Sequence, residues 1–213
     1  MFLSKSANQK SVNKAYEILL TQLKKFDASK NYVTTKIGIA DMLKKENAWA
    51  GIGEIYELNN GILKLKSNGS IGYTGKKVET DQILKFKLKL SDLKGSNWIS
   101  FGVRTQNVEV QPWNSPCYVF LVKEDVIELQ KFNGGKSFYL STENKYLGND
   151  EEHEIEFGAV TMGDEKSVRV VLSVDGVVVF DHIDSEDQVS TPGYFSLYSA
   201  GGKAEISVSD ELE

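Results

Sequence analysis

A single cysteine, Cys117, in 213 residues rules out an internal disulfide and any cysteine-built zinc cluster within one chain. Histidine is almost as scarce: only His153 and His182 occur, and neither pairs with acids at a ligand-like spacing, so a catalytic zinc site has little to be built from. Long apolar runs are missing as well. No stretch approaches the roughly 18 to 20 residues a membrane helix needs, so membrane insertion is not expected. Met1-Phe2-Leu3 leads into polar sequence rather than an apolar signal core, which predicts either a cytoplasmic protein or a fragment whose signal has been removed. Positive charge is not in excess. With 25 Lys and Arg against 30 Asp and Glu, the formal charge is −5 and no overall basic field draws in phosphate backbones, so nucleic acid is not an expected partner.

Catalytic signatures are absent too. There is no Gly-x-Ser-x-Gly elbow, and Cys117 falls in mid-strand rather than at an exposed helix end. Gly51-x-Gly53 lacks the preceding parallel strand and following helix of a phosphate loop. The acidic runs Asp150-Glu151-Glu152 and Asp184 to Asp187 read as solvated loops. A structural calcium, built from carboxylates and backbone carbonyls, stays open as a cofactor, although no Asp-x-Asp-x-Asp-Gly loop occurs.

What is present divides the chain in two. Between Val12 and Phe26, apolar residues recur at three- and four-residue steps (Val12, Ala15, Tyr16, Leu19, Leu20, Leu23, Phe26), which predicts one amphipathic helix. Its stripe is expected to pack on the following domain or on a neighbouring one. Residues 30–45 read as a connector with a short strand around Thr34 to Ile39, so the organisation is 1–45 helix and connector, 46–213 one further domain.

After Glu46 the period changes to two. Leu63 and Leu65 alternate with lysines; Leu84, Phe86, Leu88 and Leu90 alternate with Lys85, Lys87 and Lys89; Val168, Val170, Leu172 and Val174 continue the habit. Turn chemistry separates these stretches at Asn59-Asn60-Gly61, Asn68-Gly69, Asn133-Gly134-Gly135, Gly148-Asn149-Asp150 and Asp175-Gly176. Asp-Gly is the sharpest hairpin signal, because a two-residue type I′ turn needs positive φ at both centres. About ten to twelve strands at this spacing, with almost no helical period, predict an all-β fold: a two-sheet antiparallel β-sandwich.

One stretch concentrates polar and aromatic groups. Cys117 to Val122 is apolar on both faces, which predicts a central, doubly covered strand. Its hairpin partner puts Ile127 and Leu129 inward, leaving Glu128 and Gln130 on the other face. If Phe101 and Val103 mark the core side of the preceding strand, Arg104 shares that other face with Tyr118, Glu128 and Gln130. Sugars want this mixture: a flat apolar ring for the C–H face and planar polar groups for vicinal hydroxyls. Trp113, in the proline-stiffened loop Asn107 to Pro116, is the strongest single candidate for a contact. The same residues would equally serve as an internal Arg104–Glu128 pair with Trp113 folded onto the core, and the sequence leaves both open. Trp98 and Trp49 are expected in structural roles.

FGVRTQNVEVQPWNSPCYVFLVKEDVIELQKF, residues 101–132, resembles the laminin-G or concanavalin-like jelly rolls of large secreted bacterial polysaccharide-active proteins. The ending, residues 174–202, resembles their last hairpins at Asp175, Gly176, Phe180, Asp181, Asp184, Gly193, Tyr194, Phe195 and Tyr198. Ser196 departs from the pattern, where a glycine is commoner. The resemblance covers residues 46–210 and includes fructan-binding modules and domains related to keto-disaccharide hydrolases. It implies a non-catalytic carbohydrate-binding module, with a polysaccharide or oligosaccharide and neighbouring domains of a larger extracellular or cell-surface protein as partners. Of the binding residues, Arg104, Trp113 and Glu128 lie in the matching stretch. No catalytic motif carries over: glycoside hydrolysis needs two carboxylates flanking one bond, and no two are seen to converge. A structural or adhesive interdomain module, or a glycoside-processing enzyme, are the alternatives.

Overall fold

The computed structural model describes residues 14, 16, 34–52, 56–66, 68–147, 150–163 and 166–209. Of the helix expected across residues 12–26, Lys14 and Tyr16 are helical; its other residues, and Gly148 and Asn149 of one expected turn, lie outside the described residues.

Two antiparallel sheets face each other, as the period-two pattern predicts. One has the order β13 (Val177–Asp184), β12 (Val168–Val174), β11 (Glu152–Thr161), β6 (Gln82–Ser91), β15 (Lys203–Ser207), β4 (Ile62–Leu65), β3 (Tyr56–Asn59). The other runs β10 (Ser137–Glu143), β9 (Ile127–Phe132), β8 (Cys117–Val122), β7 (Trp98–Thr105), β14 (Tyr194–Ala200), β5 (Gly69–Tyr73), β2 (Trp49–Ile52). A further strand, β1 (Thr35–Gly38), pairs in parallel with β6 and brings the eight-stranded sheet to its full count. The helical turn Ala40–Leu43 then buries Met42 and Leu43, so residues read above as a connector contribute to the same core.

Alternation builds that core. Leu84, Phe86, Leu88 and Leu90 of β6 are 0–1 % exposed and face Phe101, Phe120 and Phe195 across the sandwich. Phe101 stacks on Phe120 at 4.6 Å between ring centroids, and Phe120 meets Phe157 edge-on at 4.8 Å. Offset and edge-on contacts of this kind suit the ring quadrupoles. Removing one such ring should cost about 3–5 kcal/mol. The tight turns behave as their sequences predict: Asn60 and Gly61 have φ of 50° and 74°, and Asp175 and Gly176 have 52° and 75°.

The outward faces differ in chemistry. On the eight-stranded sheet, outward lysines meet carboxylates across strands, diagonally in Lys85–Glu154 at 3.1 Å and Lys87–Glu152 at 3.4 Å, directly opposite in Lys64–Glu205 at 2.8 Å. Such pairs add little stability, but they make the described residues of that face charged rather than aromatic. The seven-stranded sheet turns outward Trp98, Ser100, Gly102, Val119, Leu121, Glu128, Gln130, Ser196 and Tyr198, as its strand register dictates.

Candidate functional site

The loop from Gln106 to Pro116 lies across this second outer face. Its base is fixed by Ser115, whose hydroxyl oxygen accepts the N–H groups of Gln106 (3.1 Å) and Asn107 (2.8 Å). Val108 presses into the space over Gly72: a Cβ added there would lie 2.2 Å from a Val108 methyl. Pro112 starts a short 3-10 turn that sets Trp113 against Cys117, Val119 and Phe132. The Gly135 N–H, from the turn between β9 and β10, donates to the Trp113 carbonyl at 2.8 Å. Trp113 is thereby held from both sides, half-buried.

Beside it the sheet supplies two more rings. Ile99 and Leu197 point into the core, so their neighbours Trp98 and Tyr198 point outward. Tyr198 lies 5.1 Å from Trp113, edge to face, and 4.9 Å from Trp98, tilted by 35°. All three rings are half-buried. The result is a row of aromatic surface running along the strand direction. On its β9 side stands a chain of polar groups: Lys123 pairs with Glu128, the Gln130 amide donates to Glu128 Oε2 at 2.6 Å, and the Ser137 hydroxyl donates to Gln130 Oε1 at 3.1 Å. Each polar head is oriented by its neighbour before any ligand arrives. Nearby in the loop, Gln111 Oε1 is buried and has no hydrogen-bond partner.

The expected constellation is therefore split. Glu128 and Gln130 lie on the outer face as read from the sequence, but Arg104 and Tyr118 do not join them. Arg104 has φ 56°, and the β14 register steps from Tyr194–Thr105 to Ser196–Gly102, so two residues of β7 oppose one of β14. This bulge breaks the alternation and turns Arg104 into the interior. There it is 1 % exposed, and its guanidinium donates to the carbonyls of Ala159 (3.0 Å), Val189 (2.6 Å) and Thr80 (3.2 Å) and to Thr161 Oγ1 (2.8 Å). Burial lowers its pKa to about 10. Buried in this way, Arg104 is not on the face of Glu128 and forms no pair with it.

Tyr118 sits directly opposite Val103, so it shares the inward face and is fully buried. Its hydroxyl donates to Asp184 Oδ2 at 2.6 Å and accepts the Val189 N–H at 3.1 Å. Burial, then the Asp184 carboxylate, pushes its pKa well above the usual tyrosine range. Lys131 completes the interior group, 2.8 Å from Asp184 Oδ2. Asp184, read above as part of a solvated acidic loop, is 5 % exposed. These residues pin the segment from Ser185 to Gly193 against the sandwich.

Trp49 is structural, as expected, with its Nε1 donating to the Met42 carbonyl at 3.0 Å. Trp98 corrects the reading: it belongs to the outer aromatic row rather than the core. Tyr198, named above only as a position of the last hairpins, joins this row; the inward Phe195 and Leu197 on either side of Ser196 imply its outward direction. Among the described residues no group of three or more His, Cys, Asp or Glu side chains is placed to hold a metal ion.

No family model and no curated protein matches the chain. Solved structures do. A carbohydrate-binding module, CBM66 from Bacillus subtilis, superposes with a TM-score of 0.55 at 14% identity, covering 76% of this chain and 93% of that one. The carbohydrate recognition domain of Emp46p, in its metal-free form, gives 0.58 at 13% identity, covering 78% and 88%. The exoplasmic/lumenal domain of VIP36, with Ca2+ and Man3GlcNAc bound, gives 0.52 at 13% identity, covering 78% and 86%. At these identities the likeness establishes the shared jelly-roll sandwich.

Proposed function

We propose that this chain is a non-catalytic carbohydrate-binding module, and that it holds its sugar against the Trp98, Tyr198 and Trp113 row on the outer face of the seven-stranded sheet. One observation carries the reading: three half-buried rings line the sheet face from which Gln130 and Glu128, 4% and 8% exposed and hydrogen-bonded to each other, also project. Rings take the apolar face of a pyranose or furanose, and the planar groups orient its hydroxyls. The other outer face, laced with ion pairs, offers no such platform. Neighbours named as a carbohydrate-binding module and as carbohydrate recognition domains support the reading, as does the glycan in the VIP36 complex. The module would belong to a larger secreted polysaccharide-active or cell-surface protein, with neighbouring domains of that polypeptide as further partners.

Glycan arrays and affinity gels, run with and without calcium against fructans, β-glucans, xylans and pectins, test this. Retention by one class, weakened at least tenfold by Trp98→Ala or Tyr198→Ala in a folded protein, is the expected result; tenfold corresponds to about 1.4 kcal/mol. No retention anywhere would move the function to an interdomain structural role.

A further inference from the structure

The outer aromatic row ends at Trp98, the first residue of β7, and the loop that leads into it walls a separate cleft. This cleft, of about 380 Å³, is lined by Ser91, Asp92, Lys94, Glu124, Tyr146 and Asp150. Its volume falls in the range of small-molecule sites, roughly 300–1,000 Å³. Tyr146 is 47 % exposed, an aromatic ring left largely in water. The walls are fixed to one another. Asn97 Nδ2 donates to the Asp92 carbonyl at 2.8 Å, Lys203 pairs with the Asp92 carboxylate at 2.6 Å, and the Gly95 N–H donates to Glu124 Oε2 at 3.1 Å.

Two adjacent residues join cleft and face. Lys123 reaches Glu128 on the outer face, while Glu124 lines the cleft. Asn97 and Trp98 make the same junction on the other strand.

Resting on the sugar-binding reading of the face, we infer that the cleft is a second subsite of that site, taking later residues of one neutral oligosaccharide as it passes beyond Trp98. Charge selects the ligand class. Asp92 is paired with Lys203 and Asp150 lies 3.9 Å from Lys89, so these two lysines beside the cleft, with Lys94 in its wall, balance the carboxylates of Asp92, Asp150 and Glu124. Each paired carboxylate keeps lone pairs free to accept from hydroxyls. A chain of neutral sugars satisfies such acceptors, and Tyr146 supplies a ring for one of them.

Calorimetric titration of the full chain with neutral oligomers of the retained glycan, from disaccharide upward, tests the inference. The expected affinity rises about tenfold once the oligomer is long enough to reach the cleft, because the second contact is made intramolecularly. Tyr146→Ala should abolish that rise and leave disaccharide affinity unchanged, whereas Trp98→Ala should lower affinity at every length. A wild-type length profile in Tyr146→Ala, or a flat profile in the native protein, overturns the second subsite while leaving the face intact. Absence of any glycan retention, or a Trp98→Ala protein that binds normally, overturns the face as the site and this inference with it.

Discussion

The Tyr118 hydroxyl and the Asp184 carboxylate meet at 2.6 Å in the interior, and the same carboxylate holds the Lys131 ammonium at 2.8 Å. Lys131 is 3 % exposed, so losing Asp184 strands a cation away from water. Breaking a buried ion pair from one side costs about 3–5 kcal/mol. Asp184→Ala is therefore expected to lower unfolding free energy by that order in urea titrations, and Tyr118→Phe by about 1–2 kcal/mol. A change below 1 kcal/mol for Asp184→Ala would show that the group is not the anchor of the 185–193 segment. Neither residue reaches the outer face, so glycan retention by the folded variants should be unchanged.

This buried group also shows where sequence reasoning stops. The strands were legible because their lysines and leucines alternate, and the Asn60-Gly61 and Asp175-Gly176 turns because they demand positive φ. Residue direction failed at two places for physical reasons. Cys117 to Val122 is apolar on both faces, so nothing in its own sequence says which side is inward; only the pairing of Tyr118 with Val103 decides it. Arg104 lies in a bulge, and a bulge shifts parity without any change in composition. Glu128 and Gln130, on a regularly alternating strand, project on the face that alternation predicts, and both are buried there. Trp98 and Tyr198 form their row through lateral packing between β7 and β14, a long-range relationship that no local pattern encodes.

Cys117 offers a probe of the loop that covers the face. The thiol is fully buried, 3.6 Å from the Pro112 carbonyl, and burial raises its pKa to about 12. The thiolate is the reacting species, so disulfide-exchange reagents at pH 8 should label the native protein far more slowly than the unfolded chain. Native labelling at the rate of a free thiol would mean that residues 106–116 open readily, and saturating glycan should then slow it.

Asp175 gives a signed pH dependence. Partial burial raises its pKa, but the His153 ring, the Glu154 N–H and Lys145 together outweigh that and hold the carboxyl below its usual value. His153 Nδ1 lies 2.8 Å from Asp175 Oδ2, and the Glu154 N–H donates to Oδ1 at 2.8 Å. A carboxyl whose folded pKa is depressed stabilises the fold above its unfolded value and loses that contribution as pH falls through the folded one. With the side chain 52% exposed, solvent screening limits the effect to about a few tenths of a kcal/mol. Asp175→Asn keeps a residue that tolerates φ 52°. Wild type is expected to exceed it in stability near pH 7, with the difference shrinking below about pH 4. A difference that grew on acidification would reverse the sign argued here.

Gly72 tests whether the covering loop prepares the sugar site. Its α-carbon faces the Val108 side chain so closely that an added methyl would lie 2.2 and 2.4 Å from two of its carbons. Gly72→Ala must therefore lift Val108, and with it the segment that carries Trp113, at an overpacking cost of about 1–3 kcal/mol. Tyr198 and Trp98 remain on the sheet, because their strands are paired independently of the loop. Glycan affinity should fall roughly as far as in Trp113→Ala, and the double variant should lose little more, since both changes remove the same ring from the row. Additive losses would instead place Trp113 and the Gly72–Val108 contact in separate roles, with the loop serving stability and the sheet rings alone holding the sugar.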